Sequence, residues 1–246
     1  MSEKRVTGGA AWTRLFDETI ARVRFPVRGK EKTLEETLSD LSDGNGEARK
    51  LAAKALGKGL KKNVHLFALI TNTLIKDKEI ETRWRKYAEP QSHRNLSNHL
   101  EDEVVATLSS TVRKAYPDLS HRYYKLKAQW FGKRRLDYWD RNAPLPDADM
   151  ALISWNTAKT IVLDAYRQFS PELWTVGKLF FENSWIDAQP RPGKVAGAFA
   201  HPTVPSAHPY LLLNFMGRPR DVLTLAHELG HGIHQVLAAD QGYLLA

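Results

Sequence analysis

Apolar and polar positions along the first half of the chain follow the three- and four-residue spacing of helices. Thr33 and Glu36 have the spacing of a capping box, which predicts a helix from about residue 34 to residue 41. The segment 43–46 contains two glycines and an asparagine, and these residues tolerate turn conformations. The first predicted helix therefore ends before this segment.

Further helices are predicted in the same half. Residues 47–56 are rich in Ala, Leu, Lys and Arg, with Gly57 as a plausible stop. A helix is also predicted over residues 63–74. A longer helical stretch is predicted from about residue 98 to residue 130, with a break at Pro117.

The second half begins with an apolar set at multiples of four, made up of Ile153, Ile161, Ala165 and Phe169. This spacing predicts a helix that buries these residues as one stripe. Ser170 then has the features of a cap, because a proline and an acidic residue follow it directly. A new helix is predicted to begin there.

The pattern changes after residue 187. Residues 194–199 and 210–215 form two short apolar runs bounded by Pro or Gly, which is typical of strands. A final helix is predicted from Asp221, as its cap, to about Ala239. The pattern therefore predicts a mainly α fold with a small β-sheet directly before the last helix.

Composition narrows the possible classes. The chain has 246 residues with 42% hydrophobic content, which is enough to form a substantial core. It has no cysteine, so a bound metal would need His, Asp or Glu ligands. No stretch approaches the roughly 18 apolar residues of a membrane span. We expect a soluble, cytoplasmic protein with no membrane partner.

The formal charge of +8 raises a nucleic-acid alternative. Basic residues cluster in segments 49–62 and 122–135, and aromatic residues interleave with them in the second. We interpret the charges as solvated helix faces and the aromatics as core residues, because that is the commoner case on helices. A basic nucleic-acid-binding helical protein is thus an alternative, but this interpretation does not favour nucleic acid as a partner.

The strongest chemical signal is the sequence His-Glu-Leu-Gly-His from His227 to His231. Residues four apart on a helix differ by about 40° around the axis and about 6 Å along it, so both imidazoles can reach one ion. Glu228 lies about 100° from His227, where a carboxylate can act on a water as general base.

Other polar residues near this motif have several possible roles. His234 lies about 10 Å along the helix from His227, and both it and Asp240 are poor candidates for a further ligand. His201 and His208 flank a Pro-rich loop and either line a substrate cleft or face solvent. Asn214 falls on a presumed edge strand, where a peptide could add by backbone pairing.

Three segments resemble consecutive signatures of the thimet-oligopeptidase and oligoendopeptidase F family, a gluzincin family of zinc metallopeptidases. They are residues 193–199, 209–215 and 221–234. Residues 137–145 resemble a weaker landmark of the same family. The resemblance implies a zincin-like, mainly helical oligopeptidase, with an N-terminal helical region over 1–97 and part of the catalytic domain over 98–246.

By matching positions, the resemblance implies that His227 and His231 bind one Zn²⁺ and that Glu228 is the general base for hydrolysis of short peptides. The family's third ligand is a Glu on a later helix, which is expected beyond Ala246. We therefore expect a fragment with an incomplete site and weak or no activity of its own. A non-catalytic zincin-like module is the remaining alternative.

Overall fold

The computed structural model describes residues 4–148 and 151–244, and these contain eleven α-helices and five short strands. The predicted mainly α class is confirmed. The helices are α1 (Lys4–Thr7), α2 (Gly9–Arg22), α3 (Leu34–Asp40), α4 (Gly46–Lys62), α5 (Val64–Trp84), α6 (Ser92–Ser97), α7 (Asp102–Ala115), α8 (Arg122–Trp130), α9 (Trp155–Phe169), α10 (Pro171–Glu182) and α11 (Pro219–Ala238). The strands are β1 (Phe25–Val27), β2 (Lys30–Lys32), β3 (Ile186–Asp187), β4 (Phe199–His201) and β5 (Tyr210–Leu212).

The chain forms two compact units. The first comprises Met1–Glu31 and Asp40–Ala148, and the second comprises Lys32–Ser39 and Asp149–Ala246. The predicted boundary between residues 97 and 98 lies inside the first unit; it concerns regions of the resembled family and stays a prediction.

The positive charge belongs to the first unit, whose formal charge is +10, whereas that of the second is −2. None of the described helices combines the length and apolar character needed to cross a membrane.

Helix α3 begins at Leu34, as the sequence predicts, and α4 begins at Gly46, one residue before the predicted start. Thr33 donates to the Glu36 carboxylate through its backbone N–H (2.7 Å) and its hydroxyl (2.9 Å), which confirms the capping box. Asn45 caps α4 by accepting from the backbone N–H groups of Glu47 and Ala48. The stop at Gly57 is wrong, because α4 continues through it to Lys62.

A close contact between β1 and α4 explains another glycine. A β-carbon at Gly59 would lie only 2.6 Å from the ring of Phe25, which is fully buried.

The sequence analysis missed the two-stranded β1–β2 sheet, because these strands are three residues long and contain charged residues and a proline. The break at Pro117 is a π-helical turn, Pro117–His121, between α7 and α8.

The first unit also contains a buried ion cluster centred on Asp140. The Asp140 side chain has no solvent exposure, and that of Arg49 is 3% exposed. Nη2 of Arg49 lies 2.7 Å from Asp140 Oδ1, and Lys133 donates to the other carboxylate oxygen. Arg49 also donates to the backbone carbonyls of Asp43 and Gly44. This cluster ties α4 to the residues after α8.

The interpretation of α8 as a helix with buried aromatics is wrong. Tyr123 and Trp130 are 45% and 50% exposed, respectively. Lys127 and Ala128 are the buried residues of this helix, and Lys127 Nζ donates to the backbone carbonyl of Arg141 at 2.9 Å. The predicted pattern failed because the long lysine side chain can bury its stem while its ammonium finds a carbonyl partner.

The core of the second unit lies among α9, α10, α11 and a three-stranded sheet with the order β3-β5-β4. Ser170 caps α10 by accepting from the backbone N–H of Leu173, as predicted. The core residues are Ala158, Val162, Phe180, Leu211, Leu213, Val222, Leu225, Leu229 and Ile233. The small sheet before the last helix is therefore present.

The helix predicted after residue 153 is α9, but its buried stripe is a different one. Ala158, Val162 and Leu163 are buried, whereas Ile161 is 48% exposed and Phe169 is 82% exposed. Multiples of four do not fully specify the buried face, because neighbouring stripes on the same helix both contain apolar residues.

Two strand predictions also need correction. Residues 194–198 form a loop, and β4 begins only at Phe199. β5 is the central strand, since it pairs in parallel with β3 and antiparallel with β4. The edge strand beside α11 is therefore β4, and the placement of Asn214 on an edge strand is wrong.

Candidate metal centre

Helix α11 begins two residues before the predicted Asp221, which is not its cap residue but lies in its first turn. The Asp221 carboxylate accepts from the backbone N–H groups of Met216 and Arg218, both at 2.9 Å. A carboxylate at this end also complements the positive pole of the helix dipole. The start of the helix is thus fixed two turns before the motif.

The two histidines of the motif lie together on the exposed side of α11. The Nε2 atoms of His227 and His231 are 3.1 Å apart, and the planes of the two rings differ by 85°. Nitrogen ligands at about 2.0–2.1 Å from a tetrahedral zinc ion are about 3.3 Å apart. The observed separation is close to this value, so the pair fits one ion without rearrangement of the helix.

Glu228 is partly exposed on the same turn of α11. Helical geometry places its Cα about 100° around the axis from that of His227. The Glu228 side chain therefore leaves α11 from a neighbouring face and not from that of the imidazole pair. A general base that acts on an attacking water must lie near the metal ligands without being one of them.

A complete ligand set is not present within residues 4–148 and 151–244. No group of three or more His, Asp or Glu side chains there could hold a metal ion. His234 and Asp240, the two poor candidates along this helix, are exposed and do not complete such a group. The described residues therefore supply two imidazoles and one adjacent carboxylate.

The opposite face of α11 anchors the motif in the core. Leu225 and Leu229 have no solvent exposure, and Ile233 is 1% exposed. A β-carbon at Gly232 would lie 2.7 Å from the ring of Phe180, so this glycine allows α10 to pack closely. The exposed imidazoles thus stand on a helix whose other face is fully packed.

Tyr166 on α9 contacts the motif from the side. Its hydroxyl donates to the backbone carbonyl of Ala226 at 2.8 Å. A β-carbon at Gly230 would lie 2.9 Å from the same hydroxyl oxygen. Burial raises the pKa of Tyr166. The glycine of the motif therefore makes room for a hydrogen bond that holds the helix at Ala226, directly before His227.

This contact predicts an interaction between two substitutions. Gly230→Ala alone is expected to bring no gain in stability, because displacing the Tyr166 hydroxyl offsets the helix propensity of alanine. In a Tyr166→Phe background the same change should stabilise the protein by about 1 kcal/mol. Urea unfolding of the unaltered protein, the two single variants and the double variant measures this difference.

Gly57→Ala is the matched control, because Gly57 lies inside α4 and a β-carbon there would meet nothing within 4 Å. It should stabilise the protein by about 1 kcal/mol in either background. If Gly230→Ala has the same effect with and without the Tyr166→Phe change, the proposed steric role of the hydroxyl is contradicted.

The two loop histidines between β4 and β5 differ in their surroundings. His201 is exposed, and its Nδ1 accepts from the backbone N–H of Thr203 at 3.0 Å. His208 is partly buried and stacks on Trp185, with ring centroids 4.0 Å apart and an angle of 6° between the planes. His208 therefore has a packing role, and the lining of a substrate cleft by either residue stays a prediction.

The segment that connects β3 to β4 contains a second ion cluster. Asp187 accepts two hydrogen bonds from Arg191 at 2.7 Å and one from Lys194 at 2.9 Å. These hydrogen bonds, that of Arg191 first, lower the pKa of the Asp187 carboxyl to about 2 although burial opposes the shift. The Lys194 side chain is 2% exposed and also donates to the carbonyls of Asp187 and Gln189.

The end of this segment is held by two residues that are distant in sequence. The Asn214 amide donates to the carbonyls of Val195 (3.0 Å) and Gly197 (2.9 Å). The carboxylate of Glu35 accepts from the backbone N–H of Gly197 at 2.7 Å. The sequence analysis missed Glu35 and Tyr166, because no local spacing connects either residue to the site.

Comparison with known proteins agrees with the resemblance. A family model described as Peptidase family M3 matches residues 41–244. Oligopeptidase PepF of Bacillus subtilis (strain 168) is 28% identical over 195 residues, which are 79% of this chain and 29% of that protein. Group B oligopeptidase PepB of Streptococcus agalactiae serotype III (strain NEM316) is 28% identical over 224 residues, covering 88% of this chain and 36% of that protein.

The fold is also similar to solved structures. A structure of PZ peptidase A with an inhibitor superposes with a TM-score of 0.84 and 19% identity, and it covers 94% of this chain and 42% of that one. This likeness confirms the predicted fold of a helical oligopeptidase. The chain spans about a third of the length of the curated relatives described above.

Proposed function

Because the chain belongs to Peptidase family M3, we propose that it carries the metal-binding helix of a zinc-dependent endopeptidase that hydrolyses short peptides. The observation that carries this proposal is the 3.1 Å separation of the His227 and His231 Nε2 atoms on the exposed face of α11. Two imidazoles at this spacing are two of the three protein ligands of a hydrolytic zinc site, and a glutamate next to the first histidine is the general base of the same motif.

In this mechanism His227 and His231 would hold the ion through their Nε2 atoms. Zinc, when bound, lowers the pKa of a water molecule and polarises the scissile carbonyl. Glu228 accepts the proton of the attacking water and then passes it to the leaving amine nitrogen, so no acyl-enzyme forms. The resemblance assigns the third ligand to a glutamate beyond Ala246, and this assignment stays a prediction.

The position of β4 supports a mode of peptide binding. β4 is an edge strand of its sheet, lies beside α11, and presents exposed side chains at Phe199 and His201. An extended peptide can add to such an edge by backbone hydrogen bonds. We propose that β4, and not the strand before Asn214, provides the pairing edge.

A zinc titration of the purified chain tests the metal centre. Calorimetry should detect one Zn²⁺ per chain. His231→Ala should weaken zinc binding at least tenfold, because mutation of a residue that only contacts a ligand already lowers metal affinity by about 10–100-fold. His234→Ala, which removes an exposed imidazole from the same helix, is the control and should bind as the unaltered chain does.

Equal zinc affinity in the His231 and His234 variants would refute the metal centre. The chain is expected to be weakly active at most, and any cleavage of a quenched peptide tests the reaction itself: a chelator should abolish this cleavage, and zinc should restore it. Peptide cleavage that survives the chelator would refute the proposed metal dependence.

A further inference from the structure

The segment 188–198 connects β3 to β4, the edge strand beside α11, and it is ordered from both ends. At its start, the buried ammonium of Lys194 donates to the carboxylate and carbonyl of Asp187 and to the carbonyl of Gln189. Three hydrogen bonds satisfy this ammonium fully. The first part of the segment is therefore folded back onto the end of β3.

The second part of the segment converges on Gly197, whose φ of 86° is in the left-handed region that favours glycine. Both backbone polar groups of this residue are engaged. Its N–H donates to Glu35 Oε1 at 2.7 Å, and its carbonyl accepts from Asn214 Nδ2 at 2.9 Å. Two residues later the chain enters β4 in register with β5, with Phe199 opposite Leu212.

The helix that bears Glu35 is held by hydrogen bonds in its first turn. It lies in the first turn of α3, directly after the capping box of Thr33 and Glu36. Thr37, in the same helix, has no solvent exposure, and its hydroxyl donates to the Thr33 carbonyl at 2.7 Å. The backbone that bears the Glu35 side chain is therefore ordered by hydrogen bonds of the residues on both sides of it.

We propose that Glu35 is a positioning residue for peptide binding: its carboxylate fixes Gly197, and Gly197 sets where the edge strand β4 begins. Asn214 acts from the opposite side on the carbonyl of the same residue. This inference rests on the proposed peptidase function. It gives a role in peptide binding to a residue of α3, which is distant in sequence from the metal-binding helix α11.

The first test measures the backbone of Gly197 in the purified chain, without reference to catalysis. Amide hydrogen exchange by NMR should become about tenfold faster in Glu35→Ala, because a charge-assisted hydrogen bond is lost. Glu35→Gln keeps an acceptor oxygen and should restore most of the protection. Glu31→Ala, which removes an exposed carboxylate four residues earlier, is the control and should leave Gly197 unchanged.

The second test uses proteolysis and kinetics. Trypsin should cut the Lys194–Val195 bond several-fold faster in Glu35→Ala, as mass spectrometry of the fragments would show. With a quenched peptide, Glu35→Ala should raise KM about tenfold while kcat and zinc affinity stay near their original values. Glu35→Gln should restore KM.

The outcomes separate the two proposals. Unchanged exchange at Gly197 in Glu35→Ala overturns the positioning role, whatever the activity. Faster exchange with an unchanged KM also overturns it, because the peptide would then be indifferent to the start of β4. If the unaltered, zinc-loaded chain binds no peptide, the role of Glu35 in peptide binding fails. If the chain also binds no zinc, the proposed function fails too, while the Gly197 measurement still reports the contact.

Discussion

Glu228→Gln is expected to lower kcat/KM for a quenched peptide by about 10²–10⁴-fold, the usual contribution of a general base. The substitution keeps the size of the side chain but removes the group that accepts a proton. Zinc affinity should stay within about twofold, because the imidazoles of His227 and His231 remain in place. Initial rates of peptide hydrolysis and a zinc titration of the same preparation measure both effects.

The control for this prediction is Glu182→Gln, which changes a half-exposed carboxylate at the end of α10. It should leave kcat/KM unchanged. A Glu228→Gln protein that hydrolyses peptide at the original rate would show that another group accepts the proton. Loss of zinc together with activity would instead assign Glu228 to metal binding.

Asp140→Asn should destabilise the first unit by about 3–5 kcal/mol, the typical cost of removing one partner from a buried ion pair. Arg49 would stay buried beside a neutral amide, and Lys133 would lose one of its two carboxylate partners. Urea unfolding measures the free energy of unfolding. Asp137→Asn is the matched control: Asp137 binds the same lysine but is 47% exposed, so its loss should cost no more than about 1 kcal/mol.

The effect of Asp140→Asn should also depend on pH. Burial opposes ionisation of Asp140, but hydrogen bonds from Lys133 and Arg49 outweigh it and lower the pKa of the carboxyl below its ordinary 3.8. A lowered pKa in the folded state stabilises the protein above the ordinary value, and this contribution is lost as the pH falls through the folded value. The difference between the two proteins should therefore be constant near neutral pH and shrink below about pH 4. A difference that grows on acidification would contradict the assigned ion pair.

The helical build of the protein was predictable where the signals are local. The capping box at Thr33 and the cap at Ser170 each depend on residues within one turn, and both are confirmed. The buried stripe of α9 was not predictable from spacing, because tertiary packing buries Val162 and leaves Ile161 exposed. The burial of Lys127 depends on a carbonyl 14 residues away. Spacing along a helix contains no information about such a partner.

The same distinction applies to the site. His227, Glu228 and His231 are neighbours on one helix, so their arrangement follows from helical geometry. Tyr166 and Glu35 act across 60 and 162 residues, respectively, and depend on how the elements pack. The edge strand was misplaced for a related reason: a strand's neighbours are set by tertiary structure, and β3, with two residues, gave no periodic signal.

The assignment of Lys32–Ser39 to the second unit has a consequence for biosynthesis. Glu35 leaves the ribosome 162 residues before Gly197, its partner. At about 5–20 residues per second, roughly 8 to 32 seconds separate the two. The first unit can collapse during this interval, whereas the second cannot close until its later part has been translated. Residues 32–39, which include most of α3, therefore lack their packing partners until the later part of the second unit has been translated. A ribosomal pause after residue 148 would prolong the time during which chaperones can bind this helix.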